Sequence, residues 1–142
     1  MLNKDNKHLK FRCGTYELLI NISYILEISE YKTNKSVEND NILFIDMRSA
    51  LGIDTLKTTH PTHKLLLKKS FDDQPFIYIA IDEVHEIIEI QDHEWYELNG
   101  IHPELDLFFD RAYPDKHSGE ILMRLAPTEQ WATENMRVAN AY

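Results

Sequence analysis

Seven histidines, one cysteine and 24 carboxylates are the groups in these 142 residues that could do chemistry. Their spacing decides whether they do. His60 and His63 form a His-x-x-His pair beside Pro61 and Lys64. A turn could bring both imidazoles onto one ion, but two ligands do not make a zinc site without a third. A small metal-dependent enzyme would therefore need His60, His63 and a remote carboxylate. His85 stands between Glu83 and Glu86 in a strand-like run, where adjacent side chains point to opposite faces. His93 precedes Glu94 and Trp95, and His102 and His117 fall in loop-like sequence. Solvated surface histidines are the simpler reading of the set. Cys13 lies inside an alternating apolar run, which suits a buried structural thiol better than a nucleophile. Asp72-Asp73 precedes Gln74-Pro75, and that is turn chemistry rather than an acid-base pair. The four glycines are scattered, so no phosphate loop is present, and no Gly-x-Ser-x-Gly elbow occurs. These residues predict a binding module with no catalytic residue, no metal site and no cofactor.

Charge narrows the partner. Net charge is -9, which a duplex nucleic acid would repel unless bases clustered strongly. Lys57, Lys64, Lys68 and Lys69 form a small group, and Lys4, Lys7, Lys10 and Arg12 form another. From Asp82 through Asp110 there are ten acids and no Lys or Arg. Such a stretch suits a basic protein partner, and it equally suits a solvated face that keeps the protein soluble. No apolar run reaches the ~20 residues of a membrane helix. The polar N-terminus lacks the apolar core of a signal peptide, and one cysteine cannot form an internal disulfide. These features predict a cytoplasmic protein.

Elements must then position these groups. Residues 1–8 read as a frayed leader. Leu9, Phe11 and Cys13 alternate with Lys10 and Arg12, Gly14-Thr15 turns, and Tyr16, Leu18 and Ile20 alternate again, which predicts a hairpin. Asn21 can cap a helical turn with Ile22, Ile25 and Leu26 on one face. Strand character resumes from Glu27 to Tyr31. Lys32–Asn41 reads as an exposed loop, Ile42–Met47 as a strand, Ser49–Gly52 as one helical turn, and residues 54–62 as a connection. Leu65–Leu67 and Phe76–Ile81 make a second hairpin about Asp72–Pro75. Val84–Ile90 continues the β pattern. Residues 92–99 could form a turn with Trp95 and Leu98 packed down. Leu105–Phe109 is an apolar segment, Glu120–Leu125 a last strand, and Thr128 a cap for a helix over residues 129–138. Many short strands with little helix predict an all-β barrel or sandwich. Asp46 and Arg48, flanking Met47, can emerge together and tie a strand end to a loop.

The order of these segments resembles the CheW-like domain, the adaptor module of bacterial chemosensory arrays. The likeness rests on Tyr16–Ile28 with Ile22, Ile25, Glu27 and Ile28, on Phe44–Ile53 with Asp46, Arg48 and Gly52, on Tyr78–Ile90 with Asp82 and Val84, and on Gly119–Leu125 with the segment after Pro127. Only seventeen residues separate Ile28 from Asp46. The family's Asn-Leu-Arg-Gly strand is missing from that interval, so the first half is shortened. The resemblance implies two small five-stranded barrel-like subdomains sharing a core, with short helices and a C-terminal helix. That domain would span residues 9–138, with a tail at 139–142. It also implies docking to the regulatory domain of a CheA-type histidine kinase and to the cytoplasmic tip of chemoreceptors. Ile45, Arg48, Val84 and Ile88 are the expected partner-binding residues. A divergent module serving another signalling complex, or a homodimer formed through an uncovered strand edge, is the alternative. Direct membrane insertion is not expected.

Overall fold

Gly14 sits at φ +64, a left-handed conformation that costs glycine nothing, and it turns the chain back on itself between two strands. The computed structural model describes residues 6–30, 43–47, 61–69, 72–98 and 108–127. Ten strands occur among them: β1 Lys7–Cys13, β2 Tyr16–Asn21, β3 Ile25–Glu30, β4 Leu43–Asp46, β5 His63–Lys69, β6 Asp72–Ile81, β7 Glu83–Glu89, β8 Tyr96–Glu97, β9 Phe109–Pro114 and β10 Ile121–Leu125. One-turn 3-10 helices at Ile22–Tyr24 and Asp92–Glu94 complete the described elements.

The expected all-β class and barrel-like, two-part architecture are observed. Hydrogen bonding joins the strands six and four: one sheet runs β7-β1-β2-β10-β9-β8, the other β3-β5-β6-β4. Neither sheet closes on itself among the described residues. Both sheets have short antiparallel hairpins, and each also has one parallel pairing, β2 with β10 and β4 with β6.

The main core lies where the sheets meet. Leu9, Phe11 and Cys13 from β1 and Leu18 and Ile20 from β2 face Leu65 and Leu67 from β5 and Ile77, Ile79 and Ile81 from β6. The alternation of β1 from Leu9 to Cys13 follows from this, since one of its faces meets the other sheet there; His8 is buried on the opposite face. Strand β2 departs from alternation because Leu19, on the opposite face, is buried too. It belongs to a second, smaller core with Ile90 and Leu122, over which Ile88, Trp95 and Tyr113 pack. Asn21 accepts a hydrogen bond from the Ser23 N–H at 2.9 Å, the predicted cap.

Several boundaries differ from the sequence reading. Strand β1 begins at Lys7 and buries His8, so the leader read over residues 1–8 gives up its last positions. Leu26 does not share a helical face with Ile22, because the helical turn ends at Tyr24 and β3 has a register shift between Ile25 and Glu27. Asp72–Pro75 is not the turn but the start of β6. Pro75 pairs with Lys68 where the register shifts, before β4 joins β6 at Ile77, a place where a strand tolerates the missing N–H. Strand β9 went unread because Phe-Asp-Arg-Ala-Tyr-Pro carries two charges and a proline. The expected loop at 32–41, helical turn at 49–52, connection at 54–60, segment 105–107 and C-terminal helix at 129–138 lie outside the described residues.

Candidate functional site

The candidate residues read from sequence go to different places. Ile45 is 7% exposed and belongs to the main core. Val84 is half-buried against that core, and Ile88 is half-buried in the second. Arg48 and His60 lie outside the described residues, and with them the Asp46–Arg48 tie and the His60–His63 pair. His63 hydrogen-bonds the Thr62 hydroxyl through Nδ1 at 2.8 Å. Among the described residues no three His, Cys, Asp or Glu side chains group to hold a metal.

The exposed apolar side chains occupy the sheet edges. Ile87 on β7 is 59% exposed, Leu26 and Ile28 stand on β3, Phe44 on β4 and Tyr96 on β8, so each of the four edge strands shows at least one. Tyr16 and Ile121, also exposed, begin β2 and β10 at one end of the larger sheet. Pattern alone could not find these, since Ile87 and Ile88 are chemically alike and only the pairing of β7 decides which one is covered. Among the described residues each of the four edge strands pairs with a neighbouring strand on one side only.

Charge is organised by register. Strand β1 pairs with β7 so that Lys7 meets Glu89, Lys10 meets Glu86 and Arg12 meets Glu83. The basic opening of the chain and the acidic run after Asp82 are therefore two adjacent strands. Only the last pairing closes: Arg12 Nε is 3.2 Å from Glu83. Lys10 turns instead towards Asp115 at 4.0 Å. A register shift between Lys10 and Phe11 breaks the alternation of β7, and His85 Nε2 comes within 3.3 Å of Glu17 and 3.9 Å of Glu83.

Two polar clusters hold the scaffold. Asp82, buried between β6 and β7, accepts from the Gly14 N–H, while its own N–H donates to the Arg12 carbonyl at 3.0 Å. Arg12 closes the loop by donating to the Gly14 carbonyl at 2.7 Å. The residue after β6 thus clamps the first hairpin. On the far face, Arg124 makes a bidentate pair with Asp110 at 2.9 and 2.6 Å and lies over the Trp95 ring at 4.7 Å. His8, fully buried, meets the edge of Trp95 and donates from Nδ1 to the Asn6 carbonyl at 3.2 Å. Burial is the main cause that lowers its pKa to about 4, and Arg124 adds to the effect. Asp115 is held below the usual carboxylate range chiefly by the His117 N–H, with Ser118 also donating to it. Each cluster ties separate strands together, which is a structural use of charge.

The two-sheet, hairpin-built fold is CheW-like. Among the solved structures it is similar to is TtCheW, a scaffolding protein from Thermoanaerobacter tengcongensis. The likeness has a TM-score of 0.68, covers 89% of this chain and 92% of that one, and comes with 13% sequence identity. No family profile matches the chain, and no curated protein matches it in sequence. No helix among the described residues is long and apolar enough to cross a membrane.

Proposed function

We propose that this protein is a non-catalytic adaptor of bacterial chemosensory signalling, which couples chemoreceptors to a CheA-type histidine kinase from the cytoplasm. The observation that carries the reading is the CheW-like fold over nearly the whole chain. The edge strands support it, because they present apolar side chains bordered by glutamates, the mixed surface on which proteins dock. Its partners are the regulatory domain of the kinase and the cytoplasmic tip of the receptors. The edge residues Ile28, Phe44 and Ile87 take the contact role that Ile45, buried in the core, leaves open; Val84 and Ile88 contribute through their exposed sides, and Arg48 remains a candidate.

The experiment is a pull-down and a size-exclusion run with the regulatory domain of the CheA-type kinase from the same genome, followed by the receptor tip. Co-elution with the kinase domain supports the reading. A folded protein that elutes alone with both partners overturns it, and a folded protein that elutes as a dimer supports the homo-oligomer alternative instead.

A further inference from the structure

Strand β7 ends the larger sheet and pairs only with β1 among the described residues. Its sequence is Glu-Val-His-Glu-Ile-Ile-Glu, and Glu83, Glu86, Ile87 and Glu89 are all exposed. Glu83 is neutralised by Arg12. Glu86 and Glu89 enter no ion pair among the described residues, although Lys10 and Lys7 stand opposite them in register. The outer edge of the sheet therefore carries two uncompensated carboxylates with an exposed isoleucine between them.

A strand added to this edge would meet β7 side chains as its direct cross-strand neighbours. Opposite charges there stabilise the ladder and like charges destabilise it. A second copy of β7, paired antiparallel about Glu86, would set Glu86 against Glu86 and Glu83 against Glu89. Self-pairing is thus disfavoured at every glutamate. A segment with Lys or Arg at those places, and an apolar residue opposite Ile87, is favoured at every one.

We propose that β7 takes a basic, extended segment of a partner protein as a seventh strand of the sheet. This deepens the adaptor reading and rests on it for the biological source of the segment. The strand addition itself is tested without kinase or receptor, so the two can fail separately.

The test uses a fluorescent Lys-Val peptide, Lys-Thr-Val-Lys-Thr-Val-Lys, which spans the seven residues of β7 and, laid antiparallel, sets Lys opposite Glu83, Glu86 and Glu89 and Val opposite Ile87; its Glu-Val counterpart is Glu-Thr-Val-Glu-Thr-Val-Glu. Anisotropy reads binding to the full chain, and amide hydrogen exchange reads the place. The Lys-Val peptide should bind about tenfold more tightly than the Glu-Val peptide, slow the exchange of β7 amides, and lose its advantage at high salt. The double variant Glu86→Lys with Glu89→Lys, at exposed positions that leave the fold intact by circular dichroism, should reverse the preference. Absence of binding, binding without protection of β7, a preference unmoved by the charge reversal, or a self-associated dimer with β7 protected would each overturn the proposal.

Discussion

His8 Nε2 lies 3.5 Å from Arg124 Nη1, although 116 residues separate the two in the chain. The pair spans the first and last described strands of the larger sheet, and Trp95 touches both. A neutral imidazole is compatible with the guanidinium at that distance, and an imidazolium is not. Several consequences can be measured.

Stability should fall with acid in a window set by His8. Its pKa is about 4 in the folded chain and 6.5 in the ordinary state, so between those values the unfolded chain binds more protons. The contribution is therefore complete above the upper value and is lost as pH falls through the window. The loss should be about 3 kcal/mol. Thermal melts of the wild type and of His8→Gln across this range should differ in slope, with the variant flatter. Parallel slopes would show that another group sets the acid limit.

Arg124→Met removes the bidentate pair with Asp110, the stacking on Trp95 and the cation beside His8. It should lower stability by about 1–3 kcal/mol. It should also raise the pKa of His8, since Arg124 lowers it. Titration of the His8 ring by NMR checks the second effect, and an unchanged pKa would contradict the placement.

Asp82→Ala removes the acceptor of the Gly14 N–H at a buried site. A loss of about 1–3 kcal/mol is expected, together with faster hydrogen exchange at Gly14. Unchanged exchange there would show that the clamp does not hold the hairpin.

Ile45 and Ile87 should part company. Ile45→Ala, in the core, should cost about 2–4 kcal/mol by leaving a cavity. Ile87→Ala, on the edge, should stay within about 0.5 kcal/mol of wild type. Chemical denaturation of the two variants decides this, and equal costs would place Ile87 in a packed environment.

Much of the fold could be read from pattern because one face of each strand meets a core. The β1–β2 hairpin was legible from Leu9, Phe11 and Cys13 against Lys10 and Arg12, and the central hairpin from its β-branched run. What failed were places where tertiary pairing overrides local chemistry. Asp72–Pro75 has turn composition yet starts β6, because a register shift absorbs the proline. Strand β9 has a polar sequence yet forms, because β10 and β8 pair with it on its two sides and Phe109, Ala112 and Tyr113 pack into the cores. The site was less legible. Ile45, Val84 and Ile88 have the composition of contact residues, but composition cannot say which strand lies at an edge. The acidic run after Asp82 was visible as charge, while its pairing with the basic start of the chain required the register of β1 and β7.

The most direct test of the adaptor role is calorimetric titration of the purified chain with the regulatory domain of the CheA-type kinase from its own genome. The account predicts saturable one-to-one binding that weakens in Phe44→Lys or Ile87→Lys without loss of the folded far-ultraviolet spectrum. No heat of binding to a folded chain, or binding indifferent to every edge substitution, would contradict it.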